Sequence, residues 1–591
     1  MQLRISRWLS FVGLTFLLAA TAIAIVTPPA EQYEISLYAA YPVHFWVLII
    51  GALTTGALAI ALSARSEQDH SWLLGLPIII LTNLLILLLP FVRGYPMYGR
   101  TDPMSHIGFV IDIFSYGEIG PNIYPPAHLL TIAVADATGL DLMTVAMLLP
   151  VVFSLLYFGS LFYLLVTLFT SRKEVLLGLP FAMLPVLRFA HLGMRPFDLS
   201  VMLIPLTLYL FFKGQRTPTR SVRVAFVIVL IAQLLYHPLT AVFVIGIFML
   251  SLAGRHAPRI RKRYASPTNV LSLSLALFLS WYFNFVGIIV RFRKLYFTLL
   301  GTNSGVTPAS RYRSTINEAS PPLIDILRVA TFKYGIEFLL IGFGLAFVAA
   351  AVFLMFRRNM ILDTYSLILS GTLFIFGVGG FLFLLMDLIV GPGRAFQIAK
   401  ICAITLTGPL FYVLWEYIDW TDRWPGTETG FWTIITVALL LTAALSTFSV
   451  YKSPLGSERN PQVTEMELEG TQWLLENGNR TENLAVIGIP HQRYHDAEFG
   501  VRASNNFTRQ PVPAHFNYRN NTYLGASYES DVYLTITRKG RIVYPTVFPD
   551  YRSKWRFTPG EFRRLERDRT TNRIYDNGDY TLYFVNGTAT E

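Results

Sequence analysis

The sequence predicts a polytopic α-helical membrane protein of about 13 transmembrane helices that carries a soluble α+β domain at its C-terminal end. Three observations lead there. Only 14% of the 591 residues are charged and 53% are hydrophobic, for a mean hydropathy of +0.47, whereas soluble globular chains carry about 25% charged residues. The apolar residues fall in runs of about 20, the length that crosses a bilayer's hydrocarbon core. After Tyr451 the composition turns abruptly polar, with mixed charge, Asn-rich turns and no spanning run. The chain therefore divides into a multi-span region, 1–450, and a soluble region, 451–591.

Taken in order, Arg4 and Arg7 precede an apolar run at 8–27. It reads as a retained first span, because it exceeds the signal-peptide core of about 7–15 residues. Further runs lie at 42–64, 72–92, 142–168, 269–290, 336–356, 365–391, 398–418 and 431–449. Two regions are interrupted: 175–213 by the polar stretch Arg188 to Asp198, and 222–252 by His237-Pro238. Each is expected to be a pair of spans. A continuous helix over 222–252 would be about 46 Å long, too long for one perpendicular span, although two arms of about 23 Å are short for two.

Lysine and arginine resist translocation, so Arg172-Lys173, Lys213 to Arg223, Arg255 to Arg263 and Arg357-Arg358 belong on the cytoplasmic side. Both ends of 222–252 are then inside, and the segment turns back near His237. Four N-glycosylation acceptors, at Asn479, Asn506, Asn520 and Asn586, fall in the tail and none in the first 450 residues. The expected topology has thirteen passes in a cell (plasma) membrane, with the N-terminus cytoplasmic and the tail extracytoplasmic. A single crossing of 222–252 would invert everything after it.

The tail reads as a small α+β domain. Glu465 to Glu476 is a helix and Leu484 to Ile489 a buried strand. Thr558-Pro559-Gly560-Glu561 opens a helix, with threonine as cap and glutamate three residues on. Arg573 to Val585 is a hairpin about Asn577-Gly578. The single cysteine, Cys402, excludes intrachain disulfides, thiolate metal clusters and CxxC redox chemistry, and sits in an apolar run as a packing residue. No GxGxxG, GKS/T or nucleophile-elbow signature gives support to nucleotide-driven transport or serine hydrolysis. The formal charge of +11 poses the question of which membrane face holds each basic cluster, and points to no nucleic-acid partner.

The chemistry is concentrated in the extracytoplasmic loop 93–141. Its segment Arg93 to His128 holds Asp102, His106, Asp112, Glu118 and His128, more ionisable groups than a passive connector needs. At helical spacing Asp102 and His106 share a face, and Asp112 lies nearly three turns further on. An exposed carboxylate at a membrane surface suits general-base work on a hydroxyl, with a histidine to orient it or handle a proton. Asp102 also fits a helix cap followed by Pro103, and the two roles can coexist. Asp112 and Glu118 also read as a solvated helix face.

Asp102-Pro103-x-x-His106 and Tyr124-Pro125-Pro126-x-His128, with an acidic loop after an early span, many spans and a soluble tail, resemble the GT-C fold glycosyltransferases. That family takes a sugar from a polyprenyl- or dolichyl-phosphate carrier, and many members are protein or lipid-glycan mannosyltransferases. The resemblance implies that Asp102 deprotonates or holds the acceptor, and that the partners are membrane lipid, the lipid-linked sugar donor and a glycan or glycoprotein acceptor. The chain departs from the usual layout by placing two spans before the one leading into the loop. It also lacks the WWDYG motif of oligosaccharyltransferase catalytic subunits, which disfavours transfer of a whole glycan to asparagine.

A phosphate-bearing donor needs cations near the outer surface. Arg394, in Gly391-Pro392-Gly393-Arg394, is the candidate clamp, its alternative being a structural pair with Asp387. The segment 291–335 carries seven basic residues, among them Arg291, Arg293 and Lys294, against two acidic ones. Asp112, Tyr124, His128, His191, Arg195 and His237 are candidate substrate contacts. His106, His128, His191 and His237 converge on the outer side in this topology, but no two of these four stand at the HxxxH or HExxH spacing that would support zinc. No metal ligand is assigned, and a divalent cation stays an open addition. The tail sequons without disulfides fit an archaeal cell-surface protein. A lipid-linked glycan flippase or transporter is the rival reading, and a scaffold working through its tail a third.

Overall fold

The structure is a computed structural model that describes residues 2–254, 268–300, 307–358, 364–386, 391–419, 427–479, 481–520 and 522–587. The first helices are α1 (Gln2–Val26), the short α2 (Leu37–Ala40), α3 (Val43–Leu62) and α4 (Trp72–Val92). A two-residue strand β1 (Met97–Tyr98), α5 (Asp102–Tyr116) and α6 (Pro125–Thr138) fill the loop, followed by α7 (Leu142–Leu168), α8 (Arg172–Ala182) and α9 (Pro196–Arg216). Then come α10 (Arg220–Tyr236), α11 (Pro238–Gly254), α12 (Thr268–Tyr282), α13 (Val286–Leu299), α14 (Pro308–Ala319) and α15 (Leu323–Arg358). The bundle closes with α16 (Thr364–Leu385), α17 (Pro392–Asp419) and α18 (Thr427–Val450).

Among the described residues nine helices are long and apolar enough to span a membrane, or ten if α12 and α13, bent by 114°, count as one. The count of thirteen expected from sequence also included α8, of 11 residues, and α10 and α11, of 17 each. Those three are helices, but too short to meet the full length, at about 1.5 Å per residue against a core of about 30 Å. Proline sets the break between α10 and α11. His237 is extended (φ −161, ψ 133) ahead of Pro238, because a proline ring clashes with a helical residue before it.

The 222–252 segment reverses there. Phe226 of α10 and Phe248 of α11 lie 6.3 Å apart and both pack on Phe211 of α9, at 6.0 and 4.8 Å. Two rings equally distant from His237 meet only if the arms run antiparallel. At the opposite end of the bundle sit Arg65, paired with Glu428 at 3.1 Å, Arg172 on the Ser66 carbonyl at 2.7 Å, and Arg216 on Tyr365 at 2.9 Å. The 36-residue α15 is about 54 Å long and overshoots the bilayer toward the tail, where Tyr551 donates to Asp325 at 3.0 Å.

The tail comprises β2 (Gln462–Val463), α19 (Glu465–Asn477), β3 (Asn483–Ile487), α20 (His491–Phe499), β4 (Thr508–Gln510), β5 (Val532–Thr537), α21 (Arg538–Val547), α22 (Pro559–Leu565), β6 (Thr571–Asp576) and β7 (Tyr580–Val585). Its five-stranded sheet runs β4-β3-β5-β7-β6, with β4, β3 and β5 parallel and the rest antiparallel. The expected capping box forms between Thr558 and Glu561, a second joins Thr464 to Glu467, and the β6–β7 hairpin turns at Gly578 with φ +103.

The tail is locked to the loop. Met97 pairs with Val463 and Tyr98 with Gln462 in an antiparallel β1–β2 ladder. Buried Arg100 makes two 2.6 Å bonds to Glu467, whose second oxygen also accepts from Tyr494 at 3.0 Å. A buried ion pair with its remaining lone pairs satisfied offsets its desolvation and fixes one arrangement. The hydrophobic core that fills the bundle continues through Tyr98 to Val463, Leu474 and Tyr580 of the tail.

Candidate functional site

The first turn of α5 carries the key carboxylate. The helix begins at Asp102 itself, after Thr101, and no side chain caps it. The expected cap is therefore not made by Asp102, which stands one position inside the helix where proline at the next position is tolerated. Freed from capping, the Asp102 side chain is 54% exposed and meets Arg493 of α20 at 3.3 Å. Arg493 in turn donates to Ser105 at 2.7 Å, and Ser105 donates to Asp496.

One turn on, His106 is buried and linked to His128 of α6, Nδ1 to Nε2, at 3.0 Å. Asn122 lies 2.6 Å from His128 Nδ1 and accepts the Tyr124 N–H at 2.9 Å. The chain of bonds assigns every proton. Asn122 accepts through its oxygen, so its amide donates to His128 Nδ1; His128 Nε2–H then donates to His106 Nδ1, leaving the His106 proton on Nε2. Burial, then the positive charges of Arg195 and Arg493 and the neighbouring His237, pushes His106 down to about 3. Burial also holds His128 well below its ordinary value. His106 is a neutral donor rather than a proton acceptor.

The Tyr124 ring stacks face to face on His237, with centroids 5.2 Å apart, and Phe197 meets His237 edge-on at the same distance. The His237 Nδ1 accepts the Leu239 N–H at 3.2 Å, which puts its proton on Nε2. The turn made by Pro238 thus brings the hairpin tip against the loop. Beside it the Arg394 guanidinium lies 4.8 Å from the Phe197 ring. Arg394 is within electrostatic reach of Arg195, Asp198, Tyr124 and Asp102. Arg195 is bonded through Nε to Asp198, which is fully buried, while its own side chain stays 32% exposed. Asp198 anchors the guanidinium from below and leaves the outer nitrogens open.

A second tier of charge backs the first. Lys452 and Arg195 both pack on the Phe189 ring, at 4.9 and 5.0 Å. Burial lowers the Lys452 pKa, with Arg195, Arg188 and Lys333 adding to the effect against Glu458. Arg188 lies 3.6 Å from Glu337 and 3.7 Å from Glu458, and Lys400 bonds Glu337 at 3.0 Å.

Of the residues singled out in the sequence, the structure brings together Asp102, His106, Tyr124, His128, Arg195, His237 and Arg394. Arg291 on α13 reaches the group electrostatically through His237. Arg293 stands over Phe297 on the same helix, and Lys294 shares that helix, which turns away from α12 by 114°. Asp112 does not join: it is buried and accepts the Val501 and Arg502 N–H groups at 3.1 and 3.2 Å, fastening α5 to the tail. His191 does not join either. Its Nε2 accepts from Leu187 at 3.1 Å and its Nδ1 meets Ser154 at 2.9 Å, and burial brings it to about 3. The Asp387 side of the alternative pair lies outside the described residues.

Sequence reasoning missed Arg493, Lys452, Asn122 and Phe197. Arg493 lies 388 positions from its partner Ser105, and no local pattern encodes such a pairing. Asn122 sits within the loop already picked out, two residues before Tyr124 in an Asx-type turn, and was legible as a turn but not as a ligand to histidine. Among the described residues no group of three His, Cys, Asp or Glu side chains is placed to hold a metal ion. The neighbours of Asp102 are guanidinium groups, a donor set that does not fit a divalent cation.

No family model matches the chain, and no curated protein is similar to it. Among solved structures, the oligosaccharyltransferase of Archaeoglobus fulgidus tethered to an acceptor peptide containing an NVT sequon is similar at 12% identity and a TM-score of 0.46, over 88% of this chain and 74% of that one. The A. fulgidus enzyme in complex with Zn and sulfate is similar at 12% identity and 0.45, over 86% and 73%. ArnT from Cupriavidus metallidurans bound to undecaprenyl phosphate is similar at 10% identity and 0.43, over 86% and 98%.

Proposed function

We propose that this protein is a membrane glycosyltransferase that moves a sugar from a polyprenyl- or dolichyl-phosphate carrier to a glycan, lipid or protein hydroxyl on the extracytoplasmic side. One observation carries the reading: an accessible carboxylate, Asp102, stands within electrostatic reach of Arg394 on the tail-facing end of the helices. A transporter would instead separate such groups along a pathway through the membrane.

The acceptor hydroxyl binds beside Asp102, which takes its proton as the oxygen attacks the anomeric carbon. The bond from that carbon to the phosphate oxygen breaks, and its electron pair leaves on the phosphate. Arg394 and Arg195 receive the charge that develops there, with His106 Nε2–H and His237 Nε2–H as neutral donors. Arg493 positions Asp102. Arg291, Arg293 and Lys294 on the interfacial helix α13 attract the anionic head group toward the site.

The orientation follows from the same charges. Arg65, Arg172 and Arg216 mark the cytoplasmic face and the tail with its sequons the outer one. With α8, α10 and α11 as short passes the chain crosses thirteen times. An archaeal cell-surface glycosylation pathway fits this arrangement.

Purified protein incubated with radiolabelled dolichyl-phosphate sugars and candidate acceptors is expected to release dolichyl phosphate, and Asp102→Ala to release none. Absence of release from every donor, with and without divalent cation, would sink the enzymatic reading in favour of transport.

A further inference from the structure

The tail holds a second candidate site, away from the transfer chemistry. A cavity of about 580 Å³ opens at the carboxyl ends of β3 and β5, with Arg459, Arg509, Lys539 and Arg556 in its wall and no carboxylate. None of these four side chains makes an ion pair among the described residues. After β3 the chain moves to β4 on one side of the sheet, whereas after β5 it moves to β6 and β7 on the other. Adjacent parallel strands whose connections part in this way leave a crevice, the usual ligand position in open α/β sheets.

The two loops at the crevice floor pass each other closely. Gly488 has φ +87, and a Cβ there would fall 2.3 Å from Thr537 Oγ1 and 2.6 Å from the Gly540 nitrogen. Thr537 caps α21 by accepting the Gly540 N–H, so the positive end of that helix also faces the crevice. The three guanidinium charges in one cavity repel, and an anion relieves the repulsion. Tyr544, Phe557 and Pro511 supply an apolar wall beside the cations. The volume exceeds what an isolated phosphate fills and matches a small-molecule pocket with few polar anchors.

We infer that this crevice binds an anionic saccharide, a sugar unit bearing a phosphate or a carboxylate, with its ring against the aromatic wall and its charge on Lys539 and the three arginines. Lys452 is within electrostatic reach of both Lys539 and Arg195, which links the crevice to the transfer site through one cation. Its use as an anchor for the acceptor glycan rests on the transferase reading above; the binding itself does not. Burial, then Arg100, Arg459 and Lys452 against Glu467, lowers Lys539 to about 6. A bound anion reverses that balance, and binding at pH 7 takes up a proton.

The test is calorimetric titration of full-length protein in detergent with glucose 1-phosphate, glucuronate, glucose and inorganic phosphate. The two anionic sugars are expected to bind at least tenfold more tightly than glucose or phosphate. Their binding enthalpy at pH 7 should vary with the ionisation enthalpy of the buffer, reporting proton uptake. Lys539→Gln and the exposed Arg509→Gln should each weaken binding at least tenfold, the second covering a folding failure of the first. Equal binding of glucose, equal binding of phosphate, or indifference to Arg509→Gln would overturn the assignment. Asp102→Asn should retain the binding, and wild-type protein that binds the anionic sugars yet transfers from no donor counts against the enzymatic reading alone.

Discussion

At the scale of single residues, the chemistry rests on a division of labour between a carboxylate that is exposed and histidines that are not. Asp102 can reach an acceptor because its helix starts without using it as a cap. Asp102→Asn preserves shape and removes the proton acceptor. Its turnover is expected to fall by about 10²–10⁴-fold, the usual worth of general-base catalysis, with the thermal midpoint unchanged; near-normal turnover would end the assignment. Arg394 lies on the Phe197 ring and its fork has no side-chain partner among the described residues. Arg394→Lys keeps the charge and loses the planar donor pair. We expect a drop in kcat/KM for the donor of about 10²-fold, readable in steady-state kinetics against donor concentration. An effect confined to acceptor KM would place Arg394 on the wrong substrate.

At the scale of elements, proline placement and buried charge decide the architecture. The sequence favoured the α10–α11 reversal, because the basic clusters place both ends on one side, and the structure decided it by holding His237 out of the helix ahead of Pro238. The sequence also held the Thr558 capping box and the Asn577-Gly578 turn, which are local hydrogen-bond patterns. What it did not hold was the joining of loop and tail through β1–β2 and through Arg100 and Glu467. The Arg100 and Glu467 side chains are 2% and 0% exposed. Glu467→Gln leaves the guanidinium buried and uncompensated, and is expected to destabilise by about 3–5 kcal/mol. Unfolding measured by tryptophan fluorescence should show it, and the apolar double variant Arg100→Met with Glu467→Leu should recover much of the loss. If the double variant is as unstable as the single one, the pair is needed for more than charge balance.

At the scale of the whole molecule, burial of neutral histidine makes stability depend on pH. His106 and His191 are held at about 3 and His491 at about 4, each mainly by burial. Their ordinary value is about 6.5. The unfolded chain therefore binds protons that the folded one refuses, and the stabilisation is complete above about pH 6.5 and lost as pH falls from there toward 3. The thermal midpoint in detergent should be flat from pH 7 to 8 and decline steadily below 6.5; a midpoint that rises on acidification would contradict the buried neutral state. Cys402, 1% exposed in the bundle, should resist maleimide until that same transition, giving a readout of global opening from a single thiol.

The sequence by itself determined the membrane class, and it pointed to a division near residue 450, a turn near His237 and the loop that carries Asp102 and His106. These follow from local properties: run length, proline, cap and turn residues, and the sign of charge. Only the tertiary structure decided that Arg195, Arg394, His237 and Tyr124 close around that loop, that Arg493 of the tail reaches Asp102, and that Asp112 and His191 are engaged elsewhere. Such pairings join residues far apart in the chain. They are set by which helix ends share a membrane face and by which buried polar groups must find partners, and neither requirement leaves a periodic mark in the sequence.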